Sequence, residues 1–271
     1  MTTLAPVVTA GAFRDDLRAQ IVRLFRPPHA ELTSLTVNAV LVSVLWTLLP
    51  ATVHEWLFAL TGSMAFAVVL QAWMLGDTTT TNVLGNDVAT ALQVLNDRVR
   101  LRRWLRAKAA ALALVVAVPC AVIAMVIAAI EHEYVDGVLL CVVLVTAPFG
   151  AAAVAAWLGV TWPYHPRPIR WRWEHRHARR STLRWLLLVL VPFALVPAIM
   201  AVFLAAGVAT GDAVGGRDPN GHLDVTGFAA ASAVTSGLSL AAFACAPYLS
   251  SALGTRRVAL LNQILLDPDA G

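Results

Sequence analysis

Charge is what this sequence has least of. Of its 271 residues only 13% are charged while 59% are hydrophobic, and the mean hydropathy is +0.72. A soluble domain carries about 25% charged residues, so an ordinary water-soluble globule is excluded. Lysine is nearly missing: Lys108 is the only one, in Arg106-Ala107-Lys108-Ala109. A phosphate-binding P-loop requires a lysine within GxxxxGK[ST], so this chain is not expected to hydrolyse ATP through that machinery. A zincin is excluded as well, because His54-Glu55 is followed by Phe58 where HExxH needs its second histidine. There are three cysteines, Cys120, Cys141 and Cys245, with no CxxC spacing and all within hydrophobic segments. They read as buried thiols rather than disulfides or metal ligands. The first 31 residues have charges but no apolar h-region, so no cleavable signal peptide is expected. No nucleotide-binding or catalytic motif is present, and the chain reads as a non-enzyme with no cofactor of its own.

What the sequence does have is long uncharged runs. Six exceed the roughly 18 residues that identify a membrane span: Leu32–Pro50, Trp56–Gly76, Ala109–Ile130, Gly137–Trp162, Trp185–Thr210 and Val225–Thr255. Their continuity, without period-2 alternation, favours helices over a barrel. The predicted fold is an all-α polytopic membrane protein with six transmembrane helices. Ahead of them, residues 13–29 predict an amphipathic interfacial helix. Phe13, Leu17, Ile21, Leu24 and Phe25 share one face, Arg14, Arg18, Arg23 and Arg26 cover the other, and Pro27-Pro28 ends it. The chain divides into an N-terminal segment 1–31, a transmembrane domain 32–255 with inner loops 77–108 and 163–184, and a tail 256–271.

Orientation follows from the loops. Segments 1–31, 77–108, 163–184 and the tail hold 4, 6, 7 and 2 basic residues, 19 of the 20 in the chain. The opposite side holds only Arg217, together with Glu55, Glu131, Glu133, Asp136, Asp212, Asp218 and Asp224. Positive loops stay in the cytoplasm, and a five- or seven-span arrangement would scatter the asymmetry. The expectation is an inner (plasma) membrane protein with both termini cytoplasmic. The pI of about 9.4 is therefore explained by topology, without nucleic acid as a partner.

Within the six spans there is no Asp, Glu, Lys, Arg or His. Proton pumps and ion-coupled carriers need such groups, so their absence argues against both and suits a protein whose energy arrives from outside the membrane. Glu131-His132-Glu133, with His222 and Asp224, is a conceivable outer metal site but reads as a short solvated loop. Loop 163–184 carries three histidines with Trp171 and Trp173. Two readings stand: haem or metal handling, or a basic segment anchored at the interface by Trp162, Trp171 and Trp173. The second is favoured because paired ligand spacing is missing. The rows Ala151/Ala155/Gly159 and Gly227/Ala231/Thr235 have small-xxx-small spacing, which supports close helix association within the bundle or between subunits.

The second inner segment carries the most information. Asn82-Val83-Leu84-Gly85-Asn86-Asp87 leads into Val88–Leu95, where Asn86 or Asp87 can cap a helix and Val88, Leu92, Leu95 and Val99 line one face beside Ala91. A basic turn, Arg98 through Lys108, then leads back to the membrane. This segment resembles the coupling region of ABC exporter permeases of the type V (drug and polysaccharide exporter) class. In those proteins a Gly/Asp start, a short Leu-rich helix and a basic sRRxxxxxK stretch precede span three. Gly85, Asp87, Leu92, Leu95, Arg102, Arg103 and Lys108 match, and Trp162-Pro163-x-x-Pro166-x-Pro168 resembles the boundary after span four. The resemblance implies a permease that moves a hydrophobic or amphipathic substrate. ATP and Mg would be held by a separate ABC ATPase subunit that docks on Asp87, Leu92, Leu95, Arg98, Arg102 and Arg103. A second permease, identical or related, and membrane lipid would be the other partners. The alternative is a non-transporting membrane scaffold or assembly factor recruiting a cytoplasmic partner.

Overall fold

The computed structural model describes residues 10–27, 29–50, 52–53, 63–164, 179–217 and 223–267, and among them the regular structure is helical apart from one isolated bridge, Arg217 to Leu223. Helix α1 (Ala10–Leu24) precedes α2 (Ala30–Leu48) and α3 (Ser63–Leu75). A buried connector then holds α4 (Thr78–Thr81), a 3-10 turn (Gly85–Asp87) and α5 (Val88–Val94). The long helices α6 (Arg98–Glu131), α7 (Tyr134–Thr161), α8 (Arg179–Val214) and α9 (Val225–Arg256) follow, and α10 (Val258–Leu266) ends the described chain. Five of these, α2, α6, α7, α8 and α9, are long and apolar enough to cross a membrane, and α3 is a sixth, shorter apolar helix. Residues 56–62, which the sequence assigns to the start of span two, lie outside the described residues.

Each span is sorted by face. On α2 the buried positions Glu31, Leu35, Asn38 and Val42 recur at helical spacing, while Val37, Val40, Leu41 and Val44 are exposed. That inversion of a soluble helix is what lipid requires, since an exposed valine costs nothing against acyl chains. Four of the long helices carry internal prolines: Pro119, Pro148, Pro192 with Pro197, and Pro247. Neighbouring helices and local adjustments can re-satisfy the carbonyls such prolines free.

Small residues set the closest approaches. The row Gly227, Ala231, Thr235 faces Gly207 and Gly211 of α8, and a Cβ on either glycine would overlap the α9 backbone or Thr235. Gly159, at the end of the other row, lies against the backbone of Thr81 and Val83, and Ala151 and Ala155 are buried in the core. Both rows therefore serve packing inside this chain, a choice the sequence left open. Ring pairs Trp73–Phe193 and Phe149–Phe243 fill wider gaps.

Three sequence expectations need correction, and one element that the sequence reading left without structure appears. The basic stretch is no turn: Asp97 accepts hydrogen bonds from the Val99 and Arg100 amides, and the helix it starts runs 34 residues to Glu131 without interruption. At 1.5 Å per residue that is about 51 Å, well beyond a ~30 Å hydrocarbon core. The tail folds too, into α10, whose Leu261 and Leu265 are fully covered. Cys245 is exposed on the bundle surface, unlike Cys120, which is buried. On α1, Phe13, Leu17, Ile21 and Leu24 turn at least partly inward, but the helix stops at Leu24 and Phe25 in the following turn is exposed.

Candidate functional site

The polar residues that the sequence places just outside the spans are drawn together at the basic end of the bundle. Asp77 follows α3 directly and is buried. Its carboxylate accepts from Asn38 Nδ2 (2.7 Å), from Ser34 Oγ, and from the Thr79 amide (2.8 Å) and hydroxyl (3.3 Å). Its own carbonyl accepts from the hydroxyls of Thr80 and Thr81. Thr79, Thr80 and Thr81 thus close a tight helical turn on Asp77, the first through its carboxylate and the other two through its carbonyl. A buried carboxylate persists only when its lone pairs are filled in this way.

The connector continues through Asn82, whose side-chain amide donates to the Tyr164 carbonyl (2.8 Å) and accepts from the Tyr164 amide (3.3 Å). Asn86 Nδ2 donates to the Thr79 carbonyl. Gly85 lies so close to Tyr164 and Asn82 that any Cβ there would collide with both. The loop is thereby sewn to the end of α7.

Beside it lies a group of four charges. Arg23 of α1 donates to the Asp87 carboxylate and to the Asn86 carbonyl (2.8 Å), and approaches Glu31 at 3.7 Å. Lys108, only 2% exposed, donates to the Val83 carbonyl (2.9 Å) and faces Glu31 at 4.0 Å, with the Trp104 ring 5.3 Å away. The cavity between Arg23, Glu31 and Lys108 is about 10 Å³, room for roughly one water and far below a ligand pocket of ~300 Å³ or more. This knot joins α1, α2, the connector and α6; it is not a substrate chamber. Larger hollows of about 430 and 330 Å³ open on the bundle surface, lined mainly by apolar residues of α2, α3 and α6 and of α7, α8 and α9 respectively.

Each residue singled out from the sequence can now be placed. Asp87 caps α5 through the Thr90 amide (3.3 Å) while holding Arg23. Leu95 is completely covered, packed with Leu84, Ala91, Leu101, Leu105, Val160, Leu261 and Leu265 in a second core at the basic end. It therefore has no surface to offer a partner, whereas Leu92 is half-buried at the edge of that core. Arg103 pairs with Asp16 of α1. Arg98 and Arg102 stand over the Tyr248 ring at 4.6 and 5.7 Å. Phe13 and Leu17 are half-buried on α1, and Trp162, half-buried, ends α7. Trp171 and Trp173 lie outside the described residues. At the other end, Glu131 accepts from Ser63 Oγ and Asp224 accepts from the Gly227 amide (2.6 Å) as the N-cap of α9; His222 lies outside the described residues.

Sequence reading missed Asn38, Gln71 and Asp77 as organising residues. Gln71 is fully buried and donates to the Leu144 carbonyl (2.6 Å), tying α3 to α7. The available signal was a lone polar side chain inside or at the edge of an otherwise apolar run, which lipid disfavours unless it has a partner.

The fold thus defines an all-α polytopic membrane protein in which the connector between α3 and α6 is locked to the surrounding helices. Comparison with protein-family models, with curated proteins and with solved structures finds no match.

Proposed function

We propose that this chain is the transmembrane permease subunit of an ABC exporter, moving a hydrophobic or amphipathic substrate with ATP hydrolysed by a separate subunit in the cytoplasm. The observation that carries the reading is the continuity of α6 with the connector that resembles a coupling region. Helix α5 and the first two turns of α6 share one buried core, and α6 then runs unbroken through its apolar length. A push on Leu92 or on the exposed side of α5 moves a rigid rod, not a flexible loop. Arg103 with Asp16, and Asp87 with Arg23, carry α1 along. Closure of two ATPase subunits, which would hold ATP and Mg, then shifts the population of bundle conformations in a permease dimer. In this orientation the basic end is cytoplasmic, following the charge asymmetry of the loops.

A scaffold that recruits a cytoplasmic partner is the second reading. It is favoured by one observation: Asp87, Leu95 and Arg103 already have partners within the chain. Pull-down of an ATP-binding subunit from the native membrane separates the two. Leu92→Asp should lower recovery of that subunit and its ATPase stimulation several-fold, because truncating or charging an anchor costs about 2 kcal/mol or more. Normal recovery with Leu92→Asp, or no nucleotide-dependent partner at all, would leave the scaffold.

A further inference from the structure

Arginines 98, 102 and 106 lie at i, i+4 and i+8 of α6, a spacing that puts them on one face of the helix. That face meets α9: Arg98 and Arg102 stand over Tyr248, and Arg106 donates to the Ala244 carbonyl (2.6 Å). None of the three forms an ion pair among the described residues, although Arg23, Arg100, Arg103, Lys108 and Arg217 all do. Arg106 Nε is moreover buried without a hydrogen-bond partner. Three like charges stacked along one face repel each other, and here no carboxylate relieves them. The flanking surface is apolar, with Tyr248 48% and Leu249 63% exposed.

Depth selects the missing partner. With the hydrocarbon boundary at Ala109, where the uncharged run of α6 begins, Arg106 and Arg102 lie about 5 and 10 Å below it at 1.5 Å per residue. The ~5–7 Å headgroup layer on each face takes in Arg106, Arg102 stands at its outer edge, and Arg98 lies beyond it, about 16 Å from the boundary. Tyr248 sits at the same level, as aromatic side chains do at the interface. We propose that the face of α6 that meets α9 at the basic end binds the phosphate of an anionic phospholipid, with Arg102 and Arg106 as its donors and Arg98, stacked with Arg102 on Tyr248, adding charge below them. Leu249, next to Tyr248 in sequence and exposed, adds apolar surface to α9 at this end, which acyl chains would use and a soluble phosphate would not. The site stands independently of the transport reading.

The test is native mass spectrometry of the full-length protein in mild detergent. It would be offered phosphatidylglycerol and phosphatidylcholine of identical acyl chains in equal amounts. The expected result is retention of at least one phosphatidylglycerol with a preference of about ten-fold or more, given the contribution of each basic residue near an anionic surface. Replacing all three arginines by glutamine should bring the ratio close to one. Arg14→Gln with Arg18→Gln, on the exposed side of α1, should leave it unchanged. Millimolar inorganic phosphate should not displace the lipid. Equal retention of both lipids by the unmodified protein would overturn the proposal without recourse to any variant. So would an equal loss of preference in the α1 variant, which would reduce the effect to net charge. Displacement by inorganic phosphate would also overturn it, because the site would then take a soluble anion.

Discussion

The two ends of this bundle use charge in opposite ways. At the far end two of the described charges pair with near neighbours in sequence: Arg217 with Asp212, exposed and five residues apart, and Asp224 with the third amide of its own helix. One exposed long-range bond, Ser63 to Glu131, joins α3 to α6 there. The hydrogen bond and charge of Asp212 push the Arg217 guanidinium above its ordinary pKa. At the basic end the partners are far apart in sequence. Arg23 reaches Asp87, Asp16 reaches Arg103, Asn38 and Ser34 reach Asp77, and Asn82 reaches Tyr164. Local pairs decorate a loop, whereas distant ones decide how helices sit. The basic end is therefore where a force applied from outside would be shared among several spans. The far end, where the Ser63–Glu131 bond is the one long-range polar tie named among the described residues, is where it would be shared least.

Space gives the largest expected contrast. Gly159→Val would drive a side chain into the backbone of Thr81 and Val83, whereas Gly237 on α9 has nothing within 4 Å of a Cβ. Gly159→Val should cost about 3 kcal/mol, at the upper end of overpacking penalties. Gly237→Ala should gain a few tenths to about 1 kcal/mol from helix propensity. Thermal denaturation followed by size-exclusion fluorescence reads both, and equal midpoints would show that the connector does not press on α7.

Next come two carboxylates. Asp77→Ala strands the donors of Asn38, Ser34 and Thr79 in a buried site, and should cost about 2–3 kcal/mol. Asp224→Ala removes one N-cap and should cost about 1 kcal/mol. If the ranking reverses in denaturation experiments, the polar knot contributes less than an ordinary cap.

A smaller effect separates the ion pairs. Asp87→Ala and Arg23→Ala should each destabilise by about 1–2 kcal/mol and couple strongly in a double-mutant cycle. Hydrogen exchange in α1 should rise in both. The matching cycle on Asp212 and Arg217 should show no coupling and no change in midpoint, as exposed pairs usually do. Exchange in α1 that ignores Asp87 would detach that helix from the connector.

Much of this architecture could be read from order alone. The uncharged runs marked the spans, and the cap before α5 was expected at Asn86 or Asp87; Asp87 takes it. The same reading began span three at Ala109 because it tracked hydropathy, and hydropathy is blind to a helix whose charged first turns lie in the aqueous layer. It missed α10 for the converse reason. Val258, Leu261 and Leu265 make too short a pattern to stand without a surface to receive it, and that surface is assembled from α5, α6 and α7.

The sequence by itself determined the solvent: so few charges, so clustered, leave no water-soluble fold and no spanning element but helices. Only the tertiary structure decided which polar residues meet. A carboxylate at a span end can face headgroups or turn inward, and its own neighbours do not distinguish the two. Asp77 turns inward because Asn38 and Ser34, about forty residues earlier, present donors at the same height. Leu95 turns inward because α10 closes over it. Pairings of that separation depend on the packing of whole helices, since no run of adjacent residues encodes the distance between two rods.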